Sequence, residues 1–234
     1  KKETNFQISN ANSFAGHSLG EYSALACANV LNFEQTLMLL KIRGKAMQDA
    51  VPKNEGGMVA VLGEEISNIN EIIENNKNKF SCFLANDNST GQVVISGKLT
   101  DLDKFTNVLK KMNIKNVKLP VSAPFHCKLM KSATQIMNNE LSNTKFSNPI
   151  CSIVSNVNAK PTEDLNEIKS LLIEQIEKTV RWRESILNMI KRGNDTFIEI
   201  GPGKVLSGLV KRIDRNVKLI QVNTLDDIAK LKNI

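Results

Sequence analysis

Three patterns in this sequence of 234 residues predict an α/β fold built in two parts. Gly16-His17-Ser18-Leu19-Gly20 has the Gly-x-Ser-x-Gly spacing of a serine presented on a sharp strand-to-helix turn. Between about residues 57 and 120 the hydrophobic periodicity runs in a βαββαβ order, the ferredoxin-like arrangement. Towards the end, an apolar run at 196–200 leads into Gly201-Pro202-Gly203 and another helical stretch.

Taken in order, residues 12–15 read as the end of a short strand, and 19–30 as a helix whose Ala24, Ala26, Cys27 and Ala28 allow close packing on a sheet. Residues 32–50 carry Phe33, Leu37, Leu40 and Met47 as a helical stripe. The βαββαβ unit comprises strands at 58–62, 81–85, 92–96 and 116–119 with helices at 66–75 and 101–112. The polar cluster Asn86-Asp87-Asn88-Ser89-Thr90-Gly91 between its middle strands reads as turn chemistry. Beyond it come a strand at 150–154, a helix at 164–177 and the strand at 196–200. Gly-Pro-Gly lacks the spacing of a nucleotide fingerprint and is expected to be a tight turn. No repeat or low-complexity segment interrupts the chain.

The elbow predicts nucleophilic chemistry. Flanking glycines are expected because residues with a Cβ would crowd the turn, and the Leu19 N–H at the helix start is placed to stabilise an oxyanion. A serine needs a base, and the sequence holds only two histidines. His17 is adjacent to Ser18, where neighbouring side chains diverge. His126 lies in a loop stiffened by Pro120 and Pro124, which leaves it as the candidate. Arg43 falls three residues after Leu40 at the edge of an apolar helix face. From the pattern alone it either snorkels to solvent or turns inward to pair with an anion, for which its planar fork suits a carboxylate.

The seven segments that follow resemble, in order, the malonyl-CoA:acyl carrier protein transacylases and the related acyltransferase domains of polyketide synthases. They are residues 16–24 (Gly-His-Ser-Leu-Gly-Glu-Tyr-Ser-Ala), 43–48, 91–97, 121–130, 155–157, 180–182 and 199–206. The resemblance implies an α/β hydrolase-like large domain, residues 1–56 and 121–234, into which the ferredoxin-like small domain of residues 57–120 is inserted beside the active site. It implies Ser18 as acyl-accepting nucleophile, His126 as its base, Gln175 as the residue whose main-chain carbonyl orients His126, and Arg43, Met47 and Phe125 as substrate-binding residues. The partners implied are malonyl-CoA and phosphopantetheinylated acyl carrier protein, with no further cofactor and no metal. Leu19 and Phe125 match the malonyl-selective pattern, since bulk at Phe125 crowds an α-methyl branch. A single methyl is worth only about 1–3 kcal/mol of discrimination.

Composition narrows the classes. With 41% hydrophobic residues the chain can bury a core, and no apolar run approaches the roughly 20 residues of a membrane span. No signal peptide is visible at residues 1–10. Cys27, Cys82, Cys127 and Cys151 are isolated and lack metal-ligand spacing, so a reducing cytoplasm is expected. The net charge of +7 includes clusters such as Lys110-Lys111, Lys115 and Lys118, or Lys211-Arg212 and Arg215. These either solvate exposed faces or suit coenzyme A phosphates and an acidic carrier protein. With aromatic residues at 5%, stacking on nucleic acid is not expected. The expected state is a monomer.

One departure stands against the resemblance. The family carries a strand and a Gly-Gln-Gly-Ser-Gln motif well ahead of the serine, which supplies a second oxyanion N–H, and this sequence has no such motif. Three readings therefore stand at this stage: a malonyl transferase of fatty acid synthesis, a serine hydrolase or thioesterase on the same scaffold, and a truncated, inactive chain that binds carrier protein.

Overall fold

Strand β1 (Ser13–Ala15) runs straight into the serine turn and helix α1 (Gly20–Cys27), which stops where Asn29 takes a left-handed φ of 65°. Helix α2 (Phe33–Asp49) opens with a capping box: the Asn32 side chain accepts the Gln35 N–H, and the Gln35 side chain accepts the Asn32 N–H. The computed structural model describes residues 6–233; part of the segment read for a leader, residues 1–5, lies outside them.

Residues 56–118 build an antiparallel sheet of four strands. Strand β2 (Gly56–Leu62), helix α3 (Ile66–Asn75), strands β3 (Cys82–Ser89) and β4 (Gln92–Lys98), helix α4 (Leu99–Lys111) and strand β5 (Lys115–Lys118) follow one another, and the sheet order is β3-β4-β2-β5. Alternation along the strands gives the sheet two apolar faces. Val59, Val61, Val93 and Ile95 pack with Ile69, Leu102, Phe105 and Leu109 of the two helices. Met58, Ala60, Ala85 and Val94 instead meet Leu119 and Phe125, next to His126. The helices thus cover one face while the other backs the candidate base.

The polar cluster at 86–91 departs from expectation. Only Thr90-Gly91 turns, and β3 runs on through Ser89 with Asn86, Asp87, Asn88 and Ser89 all buried. Polar side chains can be buried there because the rest of the chain satisfies them. Asn86 bridges to Val180, the Asp87 N–H donates to the Val180 carbonyl at 2.9 Å, and Arg183 pairs with the Asp87 carboxylate at 2.9 Å.

After a 3-10 turn at Lys128–Met130 come helix α5 (Lys131–Asn143), strands β6 (Ser152–Val154) and β7 (Pro161–Thr162), and helix α6 (Leu165–Glu174), whose first turn is capped by Asp164. Helix α7 (Trp182–Lys191), strand β8 (Thr196–Ile200), helix α8 (Val205–Ile213) and strand β9 (Lys218–Val222) complete the regular elements, with a 3-10 segment at Asp226–Asn233. β1 pairs in parallel with β6, which pairs antiparallel with β7, and β8 pairs in parallel with β9. Among the described residues β1 and β8 each leave one edge unpaired, and both line a cavity of about 440 Å³ with Trp182 and Met189. Gly-Pro-Gly is a turn with Gly201 and Gly203 at φ 140° and 91°. The Glu199 carboxylate takes the Leu206 and Ser207 N–H groups at the start of α8, so that helix end is already occupied by an anion. Among the described residues no helix is long and apolar enough to cross a membrane.

Candidate active site

The turn after β1 holds Ser18 at φ 54°, a left-handed conformation that costs a non-glycine residue about 1–3 kcal/mol. Asn156, fully buried, clamps it from β6's far end: its Oδ1 accepts the Ser18 N–H at 2.7 Å and its Nδ2 donates to the Gly16 carbonyl at 2.8 Å. The two flanking glycines are not equivalent. A Cβ on Gly16 would lie 1.9 Å from the Gly20 carbonyl oxygen, whereas one on Gly20 would meet nothing within 4 Å. The expectation that both glycines are sterically required is therefore corrected: only Gly16 is. The N–H groups of Gly20, Glu21 and Tyr22 go to the carbonyls of His17, Ser18 and Leu19, while the Leu19 N–H makes no hydrogen bond to any described residue.

His126 Nε2 lies 2.7 Å from Ser18 Oγ, and His126 Nδ1 lies 2.8 Å from the Gln175 carbonyl. A carbonyl only accepts, so Nδ1 carries the proton and Nε2 is free to accept the serine hydroxyl. His126 is buried at 4% exposure, and burial first, then the neighbouring Arg43 charge, push its pKa down to about 3 despite the Gln175 hydrogen bond. The imidazole is thus neutral near pH 7. Its orienting partner is a neutral carbonyl where many serine hydrolases use a carboxylate.

Arg43 turns inward. At 5% exposure, its Nη2 donates to Ser18 Oγ at 3.0 Å and to Gln175 Oε1 at 2.9 Å, its guanidinium stands 5.7 Å from the Tyr22 ring, and its Nε has no partner among the described residues. Gln175 Nε2 donates to Glu21 Oε2 at 2.7 Å and to the Ser18 carbonyl at 3.1 Å. Glu21 also accepts the Asn156 N–H at 3.1 Å, and burial pushes its carboxyl up to about 7. The result is a buried polar cluster around one serine hydroxyl, with a cation in it that keeps one donor unpaired among the described residues.

Residues 9–226 match the acyl transferase domain family. The chain belongs to that family. It is 40% identical over 221 residues to the malonyl CoA-acyl carrier protein transacylase of Haemophilus influenzae, covering 94% of this chain and 70% of that protein. Against the transacylase of Bacillus subtilis the identity is 40% over 216 residues, covering 92% and 68%. Among solved structures, the acyl-carrier-protein-S-malonyltransferase of Bartonella henselae superposes with a TM-score of 0.94 at 39% identity, over 98% of this chain and 75% of that one. A malonyl-transacylase solved in complex with a type II polyketide acyl carrier protein gives 0.91 at 36%, over 95% and 73%. The chain spans about 70% of the length of the curated relatives.

In this acyltransferase the expected residues fall into two sets. Ser18, His126, Arg43 and Gln175 are joined by direct hydrogen bonds. Phe125 precedes the base and is half-buried between the large core and the inner face of the four-stranded sheet, its carbonyl accepting from Ser96 Oγ. Met47, one turn beyond Arg43 on α2, is 3% exposed and packs in the core with Tyr22, Leu25 and Met130. Leu19 projects its side chain outward at 58% exposure. His17 is engaged elsewhere, with Nε2 2.8 Å from Asn88 Oδ1 and its ring 5.6 Å from that of Trp182. Among the described residues no group of three His, Cys, Asp or Glu side chains could hold a metal. Sequence reasoning missed Glu21, Asn156 and the Gln175 side chain. Glu21 stood out only as a carboxylate in a helix of small apolar residues, and Asn156 only as part of a matching segment.

Proposed function

We propose that the acyltransferase moves a malonyl group from malonyl-CoA to the phosphopantetheine thiol of acyl carrier protein, through a malonyl-Ser18 intermediate, in fatty acid biosynthesis. One observation carries the reading: Ser18 Oγ is bonded at once to a neutral imidazole, at 2.7 Å, and to a buried guanidinium, at 3.0 Å. A simple esterase needs the first and has no use for the second. A buried arginine beside the nucleophile suits an acyl group that carries its own carboxylate.

In the first half-reaction His126 Nε2 takes the Ser18 proton while Oγ bonds to the thioester carbonyl carbon. The Leu19 N–H at the start of α1 stabilises the oxyanion. The carbon–sulfur bond then breaks, and coenzyme A leaves as the thiol with the proton returned by the imidazolium. The second half runs in reverse: His126 accepts the proton of the carrier thiol, sulfur attacks the malonyl-serine carbonyl, and Ser18 recovers its proton. Arg43 swaps a resident partner for the malonyl carboxylate, and Phe125 crowds an α-branched acyl chain. The reaction needs no metal or cofactor besides its substrates.

The four-stranded order β3-β4-β2-β5 with two helices on one face supports a ferredoxin-like small domain at 57–120, set in a hydrolase-like large domain of 1–56 and 121–234. A monomer working in the cytoplasm fits the same reading. The test is intact-mass spectrometry after mixing with malonyl-CoA. One malonyl adduct on the Ser18 peptide, lost in Ser18→Ala and discharged by carrier protein bearing its phosphopantetheine arm, is expected. An adduct that persists in Ser18→Ala overturns the assignment.

A further inference from the structure

Glu21 is a buried carboxyl in this cluster that the transfer chemistry leaves without a task. It sits in the first turn of α1, 2% exposed, three residues from the nucleophile. Its carboxylate touches neither Ser18 Oγ nor His126. It reaches His126 through Gln175, which is itself fully buried, and Ser18 Oγ through Gln175 and then Arg43.

The Gln175 amide could in principle sit either way round, and its two ends do opposite things. Nε2 donates to Glu21 Oε2 at 2.7 Å and to the Ser18 carbonyl at 3.1 Å; Oε1 accepts from Arg43 Nη2 at 2.9 Å. Burial pushes the Glu21 carboxyl up to about 7; above that pH it is ionised and accepts only, so it admits a single orientation of the amide. Arg43 must give up partners when an acyl carboxylate arrives, so it cannot be what keeps the amide in place. The Ser18 carbonyl is a neutral acceptor at the longer distance. Glu21 is the short, charge-assisted anchor, and the main-chain carbonyl of the residue it anchors holds His126 Nδ1.

We propose that Glu21 is a positioning residue, whose carboxylate fixes the Gln175 amide so that its Oε1 holds the Arg43 guanidinium beside Ser18 Oγ, and which thereby sets the preference for acyl groups bearing a carboxylate. The proposal rests on the reading of Arg43 as the acyl-carboxylate ligand. Glu21 touches no substrate; it acts through Gln175. Glutamine at position 21 has the same shape but no charge, so it removes the charge-assisted anchor and leaves only longer, neutral acceptors, the Ser18 carbonyl at 3.1 Å and Asn156 Oδ1 at 3.4 Å, to hold the Gln175 amide.

The experiment compares Ser18 acylation by malonyl-CoA and acetyl-CoA, above pH 7 where Glu21 is ionised and followed by intact mass at a series of concentrations, in the parent chain, Glu21→Gln and Arg43→Ala. In Glu21→Gln the malonyl-to-acetyl ratio of kcat/KM is expected to fall at least tenfold, mainly through a raised KM for malonyl-CoA, with acetyl values within about threefold of the parent. A ratio unchanged within twofold overturns the proposal; so does a rise, which would make Glu21 a competitor of the acyl carboxylate for Arg43. Arg43→Ala separates the two readings: if it lowers both acyl groups equally, the Arg43 reading fails, whatever Glu21 does. A second measurement needs no variant to fold. By NMR, the Gln175 side-chain NH2 protons of the parent, assigned through bonds from the Gln175 backbone, should be shifted downfield and exchange slowly with solvent. Free-amide shifts and fast exchange overturn the proposal.

Discussion

Gly16→Ala is the sharpest perturbation the serine turn offers, because the added methyl has a stated collision. Its Cβ would sit 1.9 Å from the Gly20 carbonyl oxygen, 2.0 Å from the Gly20 carbonyl carbon and 2.6 Å from the Glu21 nitrogen. All three are backbone atoms in the first turn of α1, so no side chain can swing aside. Relief requires β1 and α1 to separate by more than an ångström, which also pulls on the Asn156 hydrogen bonds to Gly16 and Ser18. Overpacking costs about 1–3 kcal/mol where side chains can adjust, and a backbone collision belongs at or above the top of that range. At about 2–4 °C per kcal/mol for a chain of this size, Tm should fall by about 6–12 °C or more.

Gly20→Ala is the matched control, since its Cβ meets nothing within 4 Å and the residue opens a helix. Trading glycine for alanine there should leave Tm level or raise it, by up to about 1 kcal/mol of helix propensity. Thermal unfolding by circular dichroism and malonylation of Ser18 by intact mass would be measured on both. Gly16→Ala should lose both stability and adduct, and Gly20→Ala neither. Equal melting of Gly16→Ala and the parent would refute the steric argument, as would a Gly20→Ala variant that falls as far as Gly16→Ala.

Two further outcomes follow from the same cluster. Asn156→Ala should lower Tm and slow Ser18 acylation, because it strands the Ser18 N–H and the Gly16 carbonyl, at about 1–3 kcal/mol for each buried group left unpaired; unchanged melting would show the clamp to be idle. Stability should also depend on pH with opposing slopes. Folded His126, lowered from 6.5 to about 3, refuses a proton that the unfolded chain takes up, so its contribution is lost as pH falls below 6.5, whereas Glu21, raised from 4.5 to about 7, keeps a proton when folded and loses its contribution as pH rises from 4.5. Each slope is at most about 1.4 kcal/mol per pH unit. Glu21→Gln should therefore lose Tm more steeply than the parent between pH 6.5 and 4.5, and parallel curves would refute the linkage.

Elements whose apolar residues repeat densely were legible, and those held by tertiary partners were not. The strands at 58–62 and 92–96 and the helices at 66–75 and 101–112 carry their own period, and they appear as β2, β4, α3 and α4 within a few residues. Helix α5 buries only Ala133, Met137 and Leu141, one residue per turn, too sparse a stripe to announce itself. Helix α7, missed as an element, buries Trp182, Ser185, Ile186 and Met189, a face that mixes an aromatic with a hydroxyl. The tail of β3 misled in the other direction. Asn86 to Ser89 has turn composition, and it stays extended because Val180 and Arg183, from nearly a hundred residues later, take its polar groups.

The site divides along the same line. Ser18 was legible because its neighbours in sequence are also its neighbours in space, and His126 because the chain offers no other histidine free to serve. Arg43 was ambiguous from its helix alone, since an inward arginine and a snorkelling one share the same position on the stripe. What decides it is the pair of acceptors that meet it, Ser18 Oγ and Gln175 Oε1, the second 132 positions away in sequence. Glu21 and Gln175 are 154 apart, and Asn156 stands 138 from the serine it clamps. No local period encodes such pairs. Each of these groups would be costly to bury alone, by several kcal/mol for a charge, and none is buried alone. The same requirement places them together: the Arg43 cation beside the Ser18 hydroxyl meets the neutral Gln175 Oε1, the other end of that amide meets the Glu21 carboxyl, and Glu21 takes the Asn156 N–H. Ser18 and His126 could be picked out in the sequence; the buried cluster around them exists only once the chain has folded.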